Sequence, residues 1–456
     1  MKKILLSLCL YSLFAACTKQ QEWLDARINR SSVVLSTLDD YQALLDADYM
    51  FREYGFLGIL GSDQINLSLA DYQAVNISTE RNGYVWAKDI YEGRMPSEWL
   101  SLYRVIAVAN ICLEGLNKIP VTTQNERQWK QIQGSALFFR GMANYQLLQY
   151  FAAPYDPSKA DSDLGIPLRF SSDVNDKPGR SSVQQCYDQV LIDLGQSIDL
   201  LPTNNTPAMR PSKAGALGLL ARVYLLLEDW SKSAQYSTEA LAIHSTLIDY
   251  NSLNAAASLP FPTLQNKHPE VLWHAEGSVS NYFVSNRPLF DTVLYRSYVS
   301  NDLRRTVFFR LFNNLPIFKG YYTGRNMVTF AGVASNELYL IRAESLARLG
   351  QTAGAMSTLN TLLVKRWRPG TFVPYTASSA DAALSIILTE RRKELAFTCS
   401  LVWEDLRRLN RDPRFARTLK RVIGSDTYTL PPNDPRYVLP IPDTEIQLTG
   451  IPQNIR

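Results

Sequence analysis

Few side chains in this chain are spaced for catalysis. It has three histidines, His244, His268 and His274, and none stands in an H-E-x-x-H or other paired metal-ligand spacing. There is no G-x-S-x-G elbow, Walker loop or EF-hand loop, and GFLGILG at 55–61 has the wrong glycine spacing for a dinucleotide fingerprint. His244 falls on a helical pattern, where a structural role is expected. Cysteines stand at 9, 17, 112, 186 and 399 without a C-x-x-C pair, so Cys112, Cys186 and Cys399 are expected as buried free thiols. The densest charge lies in TERRKELAFTCSLVWEDLRRLNR at 389–411, where Glu390, Arg391, Glu394, Asp405, Arg407 and Arg408 mix both signs beside Leu395, Phe397 and Trp403. Helical and interhelical ion pairs account for that pattern without chemistry. A glycosidase carboxylate pair needs only proximity in space, and no spacing here marks one. The expectation is a non-enzyme with no catalytic residue, cofactor or metal site.

The elements that would carry a binding function are mostly helical. From Trp99 the positions Leu102, Tyr103, Ile106, Ala109, Leu113 and Leu116 form an apolar stripe, and Trp129, Ile132, Ala136, Phe139, Ala143, Leu147 and Tyr150 form another, closed by Pro154. A third helix should start at a Ser181 or Ser182 cap and run to Leu201-Pro202. PSKAGALGLLARVYLLLEDWSKSAQYSTEAL at 211–241 reads as a helix pair with Ala214, Ala216 and Ala221 at the contact, and ELYLIRAESLARLGQTAGAMSTLNTLL at 337–363 as a second copy. Such pairs resemble tetratricopeptide units. Between them, residues 55–97 and 245–332 are rich in Gly, Asn, Ser, Pro and aromatics, with strand-like pieces EVLWHAEG and MVTFAG. Loops of this length are uncommon in compact proteins and tend to carry function. The fold class expected is mainly α: tetratricopeptide-like pairs forming a scaffold with long irregular loops and a few short strands.

The chain opens MKKILLSLCLYSLFAACTKQQEWLD. Lys2 and Lys3, an apolar run from Ile4 to Ala16 and an abrupt polar stop have the layout of a signal peptide, too short to span a bilayer. Cys17 after Ala15-Ala16 resembles a lipobox, with Phe14 an atypical neighbour, so residues 1–16 are expected to be removed and Cys17 lipidated, with ordinary cleavage after Cys17 as the competing reading. Lipid would then be the sole membrane anchor. The remaining chain divides into a tether at 17–35, a helical region at 36–244 and a second region at 245–456, the last two forming one unit. Hydrophobic residues at 46% and charged residues at 20% are those of a folded protein. A net charge of +4 without a basic run excludes a nucleic-acid footprint.

The 389–411 segment resembles a signature of the SusD/RagB family of outer-membrane nutrient-binding lipoproteins, an E-R-R-x-E-L-x-F-E-G-x-R-W-x-D-L-R-R run. Glu390 to Arg392, Glu394-Leu395, Phe397, Trp403 and Asp405 to Arg408 match it, while Thr398-Cys399 and Val402 depart from it. In family order stand also EWLD at 22–25, STLDDYQALLDADY at 36–49, RSSVQQCYDQVLIDL at 180–194, the PSKAGALGLLARVYL unit, EVLW at 270–273, NDLR at 301–304 and VLPIPDTEIQLTGIPQN at 438–454. The resemblance implies a surface lipoprotein of the outer membrane that hands a nutrient to a SusC-like TonB-dependent transporter, with the helix-pair face toward that barrel and the loop face toward ligand.

An oligosaccharide presents C–H faces that suit aromatic rings and hydroxyls that need amides and charges. The rings available for this are Tyr72, Tyr84, Trp86 and Tyr91 in the first loop stretch, among Asn76, Arg81, Asn82 and Asp89, and Tyr282, Phe283 and Tyr295 in the second, with Asn281 and Asn286. These seven are the regional candidates for ligand contact. A peptide ligand, a helical-repeat adaptor without a small ligand and a glycosidase are the alternatives.

Overall fold

Thr37 opens the first helix by a reciprocal cap: its hydroxyl accepts from the Asp40 amide while the Asp40 carboxylate accepts from its own, starting α1 (Leu38–Leu45). The structure, a computed structural model, describes residues 35–204, 207–265, 267–278 and 289–456. Short helices lie inside the first loop stretch, among them α2 (Leu57–Gly61) and α3 (Ser78–Tyr84), with a single turn at Leu69–Gln73 between them. The Trp99 stripe folds as α4 (Ser97–Leu116) and the Trp129 stripe as α5 (Glu126–Phe151). Ser182 is the cap of α6 (Val183–Leu200), bonded reciprocally with Gln185. The 211–241 unit forms α7 (Lys213–Leu226) and α8 (Trp230–Ile243), and its copy forms α9 (Ser335–Arg348) and α10 (Thr352–Leu363). The charged segment supplies α11 (Ala380–Glu394) and α12 (Leu401–Leu409), and α13 (Asp443–Thr449) follows.

From α4 to α10 each helix packs on the next, so α8 and α9 are neighbours although residues 244–334 separate them in sequence. The second loop stretch is therefore an insertion between two adjacent helices of the array. Small residues make the closeness possible: a Cβ on Gly218 would meet Val333 Cγ1 at 2.6 Å. Across the insertion, Arg222 of α7 holds Glu337 of α9 through two bonds of 2.8 and 2.6 Å, with both groups buried. One apolar core runs from Leu38 to Ile451, and a smaller one joins Leu340, Ala343, Leu359 and Ile387 across α9, α10 and α11. α4 is long and apolar enough to cross a membrane by composition, but it packs against α5 with Trp99, Leu102, Ile106 and Ala109 in the core.

The described strands form five two-stranded antiparallel ladders: β1 (Ile65–Asn66) with β5 (Leu289–Phe290), β2 (Leu164–Pro167) with β3 (Arg180–Ser182), β4 (Val271–Trp273) with β8 (Val333–Ala334), β6 (Phe309–Phe312) with β7 (Leu315–Phe318), and β9 (Leu419–Ile423) with β10 (Asp426–Leu430). Strand β4 falls in EVLWHAEG, and Phe330 of MVTFAG bridges to Glu276 of the same piece. Cys112, Cys186 and Cys399 are buried and free, and burial pushes each thiol up, to about 12, 11 and 12.

Candidate functional site

Ladders this short leave many backbone carbonyls without partners, and arginines supply them. Irregular buried backbone must find donors somewhere. Arg421 on β9 donates to the carbonyls of Leu60 (3.1 Å), Ile65 (2.6 Å) and Ser62. Its guanidinium also lies over two rings, 4.1 Å from the Tyr84 centroid and 5.1 Å from that of Trp86. Trp86 Nε1 donates to Gly61 O (2.8 Å), and the Leu67 amide donates to the Tyr84 hydroxyl (2.9 Å).

Three of the expected ligand rings are consumed by this packing. Tyr84, Trp86 and Tyr91 are 2%, 2% and 4% exposed, so they hold the first loop stretch in shape and present no free face. Their interleaved polar neighbours gave the look of a binding surface; the third dimension folds the rings inward onto Arg421 and, for Tyr91, toward Glu98 and Arg456. Tyr72 and Tyr295 remain half-buried, each with part of its ring open. Tyr72 leans on Tyr84 at 6.2 Å. Tyr295 meets Phe309 edge-on at 5.3 Å, with the Arg305 guanidinium 5.1 Å from its centroid. Tyr282 and Phe283, with Asn281 and Asn286, lie outside the described residues, as do Cys17, EWLD and the segment read as a signal peptide.

What the structure does bring together is the pair of loop stretches. Ile65 pairs with Phe290 and Asn66 with Leu289, and the Asp291 amide donates to Gln64 O at 3.0 Å. From the last turn of α11, Arg392 holds Asp63 (2.8 Å) and Asp291 (3.1 Å), and Arg417 reaches Asp63 at 2.8 Å. Beside this junction opens a cavity of about 290 Å³, with Gln64, Leu294, Ser297, Arg392, Asn410 and Arg417 in its wall. Arg391 Nη1 and Arg392 Nε are buried there without a partner, which suits a ligand offering oxygen acceptors. On the adjoining β6–β7 hairpin Phe312 is 51% exposed, next to Asn313 and Asn314 at the turn. Sequence reasoning passed over Phe312, although N-N between two apolar runs is a hairpin signal.

The charge cluster at 389–411 is structural, and more deeply so than helical spacing suggests. Its acids and bases reach distant parts of the chain: Glu390 and Glu394 meet Arg304, Glu394 meets Arg366, and Arg408 meets Glu344. Within it, Arg391 of α11 pairs with Asp405 of α12 at 2.7 Å. His268 lies between the rings of Phe261 and Tyr322, and burial lowers its pKa to about 3, with nearby His274 and Arg366 acting in the same sense. His274 Nε2 sits 3.1 Å from Glu276, and His244 Nε2 2.7 Å from Pro269 O. Among the described residues no group of His, Cys, Asp or Glu is arranged to hold a metal ion.

Comparison with known proteins places this architecture. Residues 22–225 match a family model described as SusD-like, starch-binding associating with outer membrane, and residues 336–454 match the SusD family model. SusD-like protein P2 of Formosa agariphila is 23% identical over 436 residues, covering 80% of this chain and 81% of that protein. Among solved structures, a SusD superfamily protein from Bacteroides thetaiotaomicron superposes with TM-score 0.72 at 21% identity, over 92% of this chain and 100% of that one. A SusD-like carbohydrate binding protein from Bacteroides vulgatus gives 0.68 at 19% identity, over 91% and 97%. With the helix-pair scaffold, the inserted loops and both family segments in place, the chain belongs to the SusD/RagB family of binding proteins.

Proposed function

We propose that the mature chain is tethered to the outer membrane by lipid on Cys17, binds an oligosaccharide on the face where the two loop stretches meet, and passes it unaltered to a SusC-like TonB-dependent transporter. The observation that carries this is the β1–β5 junction, which sets half-buried Tyr295 and exposed Phe312 on the same part of the fold as a cavity with unpartnered arginine donors. Rings for the C–H faces and donors for the hydroxyls are the two requirements of sugar binding. Membership of a family whose model is described as starch-binding supports the ligand class, and the carbohydrate-binding name of the Bacteroides vulgatus structure agrees with it. Tyr72 belongs to the same face through Tyr84, Arg421 and Ile65. The helical array, facing away from the insertion, is the surface proposed for the transporter.

Calorimetry of the chain against a panel of oligosaccharides, with product analysis of the same samples, tests the reading. Heat of binding to one glycan class without cleavage is expected, and Tyr295→Ala or Phe312→Ala should each weaken it about fivefold, the worth of one ring contact. Binding of peptides in place of glycans, or release of products, would overturn it. A Cys17→Ala chain is expected to leave the membrane fraction.

A further inference from the structure

The cavity at the loop junction is small and its chemistry is lopsided. At about 290 Å³ it stands at the bottom of the range for small ligands, about 300–1,000 Å³, with room for one sugar unit or a substituent on it. Val293, Ser297, Ser385 and Thr389 are exposed and ring its mouth, whereas Leu294, Val402, Leu406 and Arg391 are buried in its wall. Val293, Leu294 and Ser297 belong to the short helix Thr292–Ser297, which also carries Tyr295.

The carboxylate and amide oxygens in this wall already accept. Asp405 takes Arg391 on one oxygen (2.7 Å) and Arg408 on the other (2.8 Å), Gln64 Oε1 takes the Phe397 amide (2.9 Å), and Asn410 Oδ1 takes the Arg417 amide (3.3 Å). The Thr389 and Ser297 hydroxyls donate within their own helices, to Ser385 O at 2.9 Å and Leu294 O at 2.6 Å. A donor is left over, since Arg391 is 2% exposed and its Nη1 has no hydrogen-bond partner. The charges are matched as well: Arg391 by Asp405, Arg392 by Asp63 and Asp291, and Arg417 by Asp63. The site therefore favours an uncharged group that accepts a hydrogen bond, has none to give and is apolar beside its acceptor. A sugar hydroxyl would bury its own hydrogen without an acceptor, and a carboxylate would bring a charge with no cation left to match it. An acyl ester meets each condition, with a carbonyl oxygen for Arg391 and a methyl for Leu294, Leu388 and Leu406.

Given oligosaccharide binding at the loop face, on which this rests, we infer that the cavity selects O-acetylated sugars: the acetyl group of one unit sits among the leucines with its carbonyl oxygen on Arg391. The test is calorimetry of the full chain in detergent with acetylated xylo-oligosaccharides and with the same preparation after alkaline saponification. The acetylated form is expected to bind about tenfold more tightly, from one buried methyl and one hydrogen bond to a charged donor. Arg391→Lys keeps a cation for Asp405 and withdraws Nη1, and should abolish the preference. Because that change touches a buried pair, Ser385→Phe, which closes the mouth from an exposed position, is the second variant; it should abolish the preference and leave affinity for the saponified form unchanged. Tyr295→Ala should weaken both forms alike, so the ring face and the cavity are read separately. Equal or tighter binding of the saponified form, or a preference kept in either cavity variant, would overturn the acetyl site and leave oligosaccharide binding standing. Heat with neither form would overturn both.

Discussion

Along α7 to α10 the backbone satisfies itself, and the side chains at the contacts shrink to Ala214, Ala216, Ala221, Ala343 and Ala355 so that helices approach closely. In the loop stretches, at residues 55–97 and 245–332, the backbone among the described residues has little regular bonding, and buried charge does the same work: Arg421 serves the four carbonyls of Leu60, Ser62, Ile65 and Tyr84, and Arg366 serves Ile248 O at 2.7 Å while pairing with Glu270 and Glu394. Arg304 lies fully buried among Asp302, Glu390 and Glu394, with Lys393 against Asp302 and Glu390. The lesson is that irregular architecture in this chain is held by a charged core. Regular architecture is held by an apolar one, pinned at one point by the Arg222–Glu337 pair between α7 and α9. Each should fail in its own way.

Removal of a cation from the charged core should have the largest effect. Arg304→Ala takes the shared cation from three buried carboxylates, leaving Lys393 against Asp302 and Glu390 and Arg366 against Glu394, and is expected to cost about 3–5 kcal/mol in urea unfolding, as for other broken buried ion pairs. In the array the corresponding insult is steric: Ala343→Leu, fully buried between α9 and its neighbours, should cost about 1–3 kcal/mol by overpacking. If the two variants proved equally harmless, the contrast between the halves would collapse.

The charged core should also respond to pH. Folded His268 stays neutral down to about pH 3, whereas the unfolded chain protonates it near 6.5. Between those values the unfolded state binds the extra proton, so stability is intact above about pH 6.5 and falls as the pH drops toward 3, by up to about 1.4 kcal/mol per pH unit. Thermal unfolding across pH 4–7 should show this slope, and His268→Gln should flatten it. The smallest expected effect is at the turns of the two helix pairs. Gly350 has φ +76° and Glu228, at the same place in the first pair, has φ +62°, and each turn closes with a matching backbone bond, Gln351 N to Leu346 O and Asp229 N to Tyr224 O. Nothing crowds a Cβ at Gly350, so Gly350→Ala isolates the left-handed backbone and should cost about 1 kcal/mol by denaturant titration.

The same division governs what could be read in advance. Periodic stripes, the Ser182 cap and the two alanine-rich pairs announced α4 to α10, because in a helix neighbours three and four residues apart face the same way and the pattern is local. Tyr84, Trp86 and Tyr91 misled, since nothing local distinguishes a ring open to a sugar from one lying under Arg421, more than 300 residues on. Phe312 was missed because its exposure is a property of the hairpin it terminates.

The sequence alone determined the scaffold, the family signature and the two irregular stretches between the helix pairs, all written in short-range patterns of residue type. Only the tertiary structure decided that those stretches are joined through Ile65 and Phe290, that the charged signature is turned inward, and which rings keep a free face. The reason is physical: burial and pairing depend on contacts between residues far apart in the chain, and spacing carries no record of them.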